Sequence, residues 1–172
     1  MQQIGLFFAT DTGTTETIAQ RIQHHHFSPD TLALHPFDES DAALIDSHRA
    51  LIFGTPTVGY GDYPYALERF LDQLDAVDFN DRPVALFGLG DQLGYPDVFV
   101  DALGMFHAEL AARGARLIGY WPTEGYDYEA SKADLSDGQF CGLVLDEDNQ
   151  PGLTEARLAR WIEQIRPALS AA

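Results

Sequence analysis

Short, nearly uninterrupted apolar runs alternate along this chain with stretches in which apolar residues return every three or four positions. The runs Ile4–Ala9, Leu32–His35, Ala50–Gly54, Val84–Gly88 and Leu117–Tyr120 predict strands, and Gly142–Leu145 is a further apolar run. The strongest are close to continuous in hydrophobicity, as expected of strands covered on both faces in a parallel sheet. The periodic stretches predict helices over Glu16–His25, Ala42–Asp46, Ala66–Leu74, Val98–Ala112 and Glu155–Ile165. In the last, Leu158, Ile162 and Ile165 share one face, Trp161 extends it, and Thr154 supplies an N-cap. Strand and helix in alternation, without repeat, low-complexity tract or linker, point to a doubly wound α/β sheet. In such sheets ligands bind beyond the carboxyl ends of the strands, so the loops there carry the functional information.

The first strand is followed by Thr10-Asp11-Thr12-Gly13-Thr14-Thr15-Glu16, leading straight into a helix. Unpaired amides at a helix N-terminus, the helix dipole and threonine hydroxyls together make an anion cradle. The loop has no Lys or Arg and lacks both the lysine of a triphosphate loop and the three spaced glycines of a dinucleotide fingerprint, so a lone phosphate monoester suits it better. A threonine-rich helix cap explains this loop, taken alone, equally well. After the third strand come Gly54, Thr55, Pro56, Thr57, Val58, Gly59, Tyr60, Gly61, Asp62, Tyr63, Pro64 and Tyr65, a shaped loop rather than a spacer. After the fourth come Gly88, Leu89, Gly90, Asp91, Gln92, Leu93, Gly94 and Tyr95, where glycines permit close backbone approach and Tyr95 offers a flat face. Together the three loops suggest a site for a planar ring with a phosphorylated tail.

The composition narrows the partners. A chain of 172 residues fits one domain, residues 1–172, with a sizeable core. Its 27 acidic and 10 basic residues give a formal charge of -17, which argues against nucleic acid as a partner. Two explanations of the acidity stay open, solubility and steering toward a basic protein surface. Cys141 is the only cysteine, which excludes an intrachain disulfide and a cysteine-cluster metal site; its apolar setting suggests a small buried hydrophobe. No basic leader precedes Ile4–Ala9 and no run approaches about 20 apolar residues, so the chain is expected to be cytoplasmic and independent of membranes. His24, His25 and His26 are consecutive; on a helix they point about 100° apart and suit the dipole at its C-terminus better than a metal ion.

The segments TDTGTTE, GTPT, GLGDQLGYPD, GYWPTEGYDY and GLVLDEDNQ, in this order, resemble the long-chain flavodoxins over nearly the whole chain. Likeness extends both to the flavodoxin 2 type and to the nitrogen-fixation type. The resemblance implies a five-stranded sheet in the order 2-1-3-4-5, with an insertion from about Thr123 to Phe140 splitting the last strand. It also implies non-covalent FMN, a one-electron carrier passing between quinone, semiquinone and hydroquinone states, and no enzymatic activity of its own. By position, Thr10, Asp11, Thr12, Gly13, Thr14 and Thr15 would hold the phosphate. Thr55, Pro56, Thr57, Val58, Gly59 and Tyr60 would flank one face and the N5 edge of the ring. Gly88, Leu89, Gly90, Asp91, Gly94 and Tyr95 would line the other side, with Tyr95 stacking on it, and Asp148 would reach the ribityl chain. The Gly59 carbonyl would accept a hydrogen bond from reduced N5.

Two departures from the family pattern stand out. Thr14 occupies a position where many members have Asn, and a hydroxyl can still donate there. Val58 stands where many long-chain members stack a Trp, so Tyr60, Tyr63 or Tyr65 is expected to cover that face, or FMN affinity and potential to shift. The acidity would lower the potential of the second electron. Transient, salt-sensitive docking is implied with flavodoxin/ferredoxin NADP reductase-type donors and with acceptor redox enzymes, the protein acting as a monomer. The alternative on this fold is an FMN-dependent quinone or NAD(P)H reductase, against which the acidic surface and a stacked Tyr95 argue. A signalling receiver domain would need an Asp where Gly54, Thr55 and Pro56 stand.

Overall fold

The apolar runs become the strands of one parallel sheet in a computed structural model, which describes residues 3–172. Strands β1 (Ile4–Phe8), β2 (Leu32–Pro36), β3 (Ala50–Pro56) and β4 (Pro83–Leu89) pair in the order β2-β1-β3-β4, with Ile4 opposite both Leu32 and Ala50. Every residue of β1 and β4 is buried, and so is all of β3 except Pro56, which accounts for their continuous hydrophobicity. Helices α1 (Thr14–His26) and α5 (Thr154–Ser170) pack on one face, where Phe87 of β4 meets Trp161 edge to face. On the other face α3 (Tyr65–Phe70) and α4 (Asp101–Ala112) close over Phe37, Phe53, Phe70 and Phe106, rings that contact one another. The short α2 (Ala42–Asp46) begins with an Asp41 cap on the Leu44 amide.

The fifth strand position is shared. β5 (Arg116–Ile118) pairs with Pro83–Ala85 of β4, and β8 (Leu143–Leu145) pairs with Phe87–Leu89. Residues 119–142 leave the sheet between them and carry the antiparallel pair β6 (Trp121–Pro122) and β7 (Gln139–Phe140). The expected order and the split last strand are therefore both present. The inserted segment crosses α4 so closely that a Cβ on Gly104 would lie 2.2 Å from the Lys132 backbone, which is why a glycine sits inside that helix. Cys141 is buried beside it, and burial pushes its thiol up to about 12, so it behaves as the small hydrophobe its surroundings suggested.

Three local expectations need correction. The helix predicted from Val98 starts at Asp101, because Val100 adopts φ 48°, a left-handed conformation through which a helix cannot run. The helix predicted over Ala66–Leu74 is α-helical only to Phe70 and then tightens to a 3-10 helix over Leu71–Ala76. Thr154 is the first residue of α5 rather than its cap; Leu153 holds the cap position and the Thr154 hydroxyl donates to Glu147 instead. The three consecutive histidines do form the last turn of α1.

A pH dependence of stability follows from the partly buried histidines. The Nε2 atoms of His35 and His48 lie 3.0 Å apart, and Gly5 makes room for this pair because a Cβ there would sit 2.6 Å from the His48 ring. Burial first, and His48 second, hold the His35 pKa below its ordinary value of 6.5; burial also lowers those of His26 and His107. Such groups bind protons more readily in the unfolded chain, so their stabilising effect is intact above the unfolded value and is lost as pH falls below it. Urea midpoints are expected to be flat above pH 7 and to fall between about pH 6.5 and 5, with His35→Gln flattening part of that fall.

Candidate functional site

The loops at the carboxyl ends of β1, β3 and β4, with the turn after β8, enclose a cavity of about 440 Å³. At one end the phosphate-type loop is held by its own side chains. Gly13, at φ 89°, donates its amide to Thr10 Oγ1 at 2.9 Å, and the Thr17 hydroxyl donates to the Gly13 carbonyl at 3.1 Å. Thr10 and Gly13 thus shape the loop, while Asp11, Thr12, Thr14 and Thr15 line the cavity. The Thr12 and Thr14 hydroxyls stand 3.3 Å apart, and no side chain caps the N-terminus of the 13-residue α1. Its first amides therefore retain their donor capacity for a ligand.

In the second loop Thr55 is buried with its hydroxyl turned to the Pro56 carbonyl, and it does not reach the cavity; Pro56, Thr57, Val58 and Gly59 do. Thr57 Oγ1 accepts the Ala102 amide at 3.1 Å, capping α4 from a different loop. Val58 and Asp62 exchange both backbone hydrogen bonds, at 3.0 and 2.8 Å, and close a tight turn with Gly59 at φ 54° and Gly61 at φ 84°. Tyr60, 65% exposed, lies outside the cavity with its hydroxyl on Asp97. Tyr63 is half-buried, its phenol pushed up to about 12 chiefly by burial, and Tyr65 is exposed beneath Arg69. None of the three tyrosines lines the wall beside Val58. Val98, Phe99 and Val100 line the cavity instead, from the segment that precedes α4.

The third loop contributes Leu89, Gly90, Asp91 and the half-exposed Tyr95; Gly88 lies within β4 against Leu103, and Gly94 turns away to donate its amide to Asp91 Oδ1 at 2.7 Å. That amide, followed by the Asn149 side chain at 2.7 Å, holds the Asp91 carboxyl below the usual carboxylate range. Behind this wall Asp146 is fully buried and accepts from the Gln92 amide (3.0 Å), Gln92 Nε2 (2.7 Å), the Asn149 amide (3.0 Å) and Asn149 Nδ2 (2.9 Å). Gln92 Oε1 in turn accepts the Asp127 amide of the insertion at 2.6 Å. After β8, Glu147 and Asp148 line the cavity; burial raises the Asp148 pKa, and Asp91, Asp146 and Glu147 raise it further.

The cavity therefore has a hydroxyl- and amide-rich end, an apolar slot between Val58, Val98, Val100 and Tyr95, and four carboxylates but no Lys or Arg in its lining. Val98, Phe99, Val100 and Glu147 are the lining residues that sequence reasoning missed. The first three were absorbed into a predicted helix, although their apolar run directly after the GYPD turn was a visible signal. Glu147 was hidden in a run of acids.

A family model described as Flavodoxin matches residues 6–161. The chain is 44% identical over 169 residues to a flavodoxin of Synechocystis sp., covering 98% of this chain and 99% of that protein. It is 42% identical over 169 residues to a flavodoxin of Klebsiella pneumoniae, covering 98% and 96%. Its fold matches the solved structure of Fusobacterium nucleatum flavodoxin bound to flavin mononucleotide with a TM-score of 0.89 and 32% identity, covering 97% of this chain and 98% of that one.

The buried Asp146 knot should hold two walls of the cavity in place. Asp146→Ala strands the donors of Gln92 and Asn149 and is expected to cost on the order of 3 kcal/mol in urea unfolding. Asp146→Asn, which keeps one acceptor oxygen, is expected to cost less.

Proposed function

The chain belongs to the flavodoxin family, and from that premise we infer that residues 1–172 act as one FMN-binding domain that carries electrons singly between redox proteins at low potential. The observation that carries this inference is a cationless anion cradle joined to an apolar slot, at the ends of β1, β3 and β4. The residues fit FMN. Its phosphate matches the Thr12, Thr14 and Thr15 hydroxyls and the α1 amides, and its flat ring matches the slot between Val58 and Tyr95. A volume of about 440 Å³ is in the range of cofactor sites. Asp148, the residue expected at the ribityl chain, lines the same cavity.

FMN, when bound, supplies the ring that takes up and releases the electrons. The protein sets how readily negative charge accumulates there. Asp11, Asp91, Glu147 and Asp148 surround the cavity with no opposing cation in its lining, so each added negative charge is opposed by Coulomb repulsion in a partly dewatered space. Among the described residues the Gly59 carbonyl accepts no hydrogen bond, and its turn is closed by the Val58–Asp62 pair with the Tyr60 amide on Asp62 Oδ2. It is therefore free to accept a proton-bearing nitrogen at the ring edge. Thr57 Oγ1 accepts the Ala102 amide and so ties α4 to the slot, while its hydroxyl proton stays available for a ligand in the cavity it lines.

The acidic rim and the exposed Tyr60, Leu93 and Tyr95 at the mouth fit transient docking to basic surfaces of reductase-type donors and of acceptor enzymes. No helix among the described residues is long and apolar enough to cross a membrane.

Purified protein is expected to be yellow and to turn blue at half reduction, with added salt raising the potential of the second step by screening the carboxylates. A colourless protein, or reduction in a single two-electron step with steady NADPH oxidation, would point to the reductase alternative or to no flavin at all. Val58→Trp adds a flat surface to the slot and is expected to tighten FMN binding by about 0.5–1.5 kcal/mol in a flavin-fluorescence titration.

A further inference from the structure

A second concavity, of about 320 Å³, opens between the inserted segment and the start of α5 and shares no lining residue with the first. Trp121 and Pro122 form one wall, and Leu153 and Ala156 the other, with Arg157 and Arg160 at its edge. Leu153 is 47% exposed, one of few large apolar side chains left open to water. The arginines are unusual in so acidic a chain. Arg21, Arg82 and Arg113 are each paired with carboxylates, whereas neither Arg157 nor Arg160 forms an ion pair among the described residues.

Both are instead laid on aromatic rings. Arg157 Cζ lies 4.2 Å from the Tyr126 ring centroid, and Arg160 Cζ lies 5.1 Å from that of Trp121. A guanidinium held over a ring by a cation–π contact still has N–H groups with which to bind a carboxylate. Among the described residues Arg157 Nη1 is buried without a hydrogen-bond acceptor. Rotamer freedom is already restricted by the stacking, so less is lost when an anion binds.

The lining also sets the charge of the occupant. Two arginines and Glu124 leave the groove with a net charge of +1, in a protein whose formal charge is -17. One negative charge is matched, while a second would face Glu124 without a partner. The remaining surface is pyrrolidine and aliphatic carbon with a small part of the Trp121 indole, which is 4% exposed and lies under Arg160, and it takes an apolar body. We propose that this groove binds a small amphipathic monocarboxylate, its carboxylate on Arg157 and Arg160 and its aryl or short acyl body against Trp121, Pro122 and Leu153.

The site reports on itself through an indole. The chain has two tryptophans, and Trp161 is fully buried with its Nε1 donating to the Gly119 carbonyl, so it serves as an internal control for Trp121. The FMN-loaded, 15N-labelled protein would be titrated with 3-phenylpropionate, with its uncharged amide and with the dianion phenyl phosphate. Saturable shifts are expected at the Trp121 indole and at Leu153–Arg160, with Trp161 unmoved and both the amide and the dianion weaker by about tenfold or more. Arg160→Gln is expected to weaken the carboxylate by a similar factor of about ten while leaving the spectrum folded, with Arg160→Lys intermediate. Should Arg157→Gln fail to fold, the Arg160 variants and the amide comparison still decide the matter. The proposal is overturned if carboxylate and amide shift Trp121 equally, which would mean bare apolar contact. It is equally overturned if Trp121 does not respond, or if the perturbation tracks protein concentration instead of ligand, which would mean a second copy covers the groove.

Discussion

A single buried carboxylate ties the functional end of this molecule together. Asp146 follows β8 directly, lies wholly out of water, and accepts hydrogen bonds from four nitrogens of Gln92 and Asn149. An ionised group without those donors would be costly to bury, so the loop after β4 and the turn after β8 must adopt the one arrangement that supplies them. Asn149 also reaches Asp91, and Gln92 also takes the Asp127 amide, so the same knot fixes a cavity wall and clasps the insertion. The shape of the cavity thus rests in part on a residue that does not line it.

The parts legible in the sequence were those governed by local chemistry. β1, β3 and β4 announced themselves as continuous apolar runs because helices cover both faces of a parallel sheet, and the Thr-Gly loop was legible as the start of α1 at the cavity's edge. What was hidden is set by distant partners. Val98, Phe99 and Val100 have helical periodicity, yet Val100 turns left-handed and sends that segment to the cavity. Thr10, Thr55 and Thr57 looked alike in the sequence, yet the Thr10 and Thr57 oxygens each accept a backbone amide, of Gly13 and of Ala102, whereas the Thr55 hydroxyl donates to the Pro56 carbonyl. A hydroxyl serves whatever tertiary contact brings near, and spacing alone does not reveal which. Tyr60 shows the same limit, since its ring leaves the cavity for Asp97.

Charge is distributed as well as abundant. Around the cavity, carboxylates stand without Lys or Arg among the lining residues, while Arg157 and Arg160 sit on the stretch of α5 that faces the insertion. The molecule thus presents opposite local fields at two concavities although its net charge is strongly negative.

The shared fifth strand has a consequence for how the chain is assembled. β5 can pair with β4 across a connection made by α4, but β8 must first wait for residues 119–142 to loop out and return, a longer closure with a larger entropic cost. The lower half of the sheet edge can therefore zip early, whereas the upper half, the half that brings Asp146 to Gln92, closes late. During synthesis the nascent protein would hold four finished strands and an open upper edge, and the ability to retain a flavin would arrive only with the last thirty or so residues.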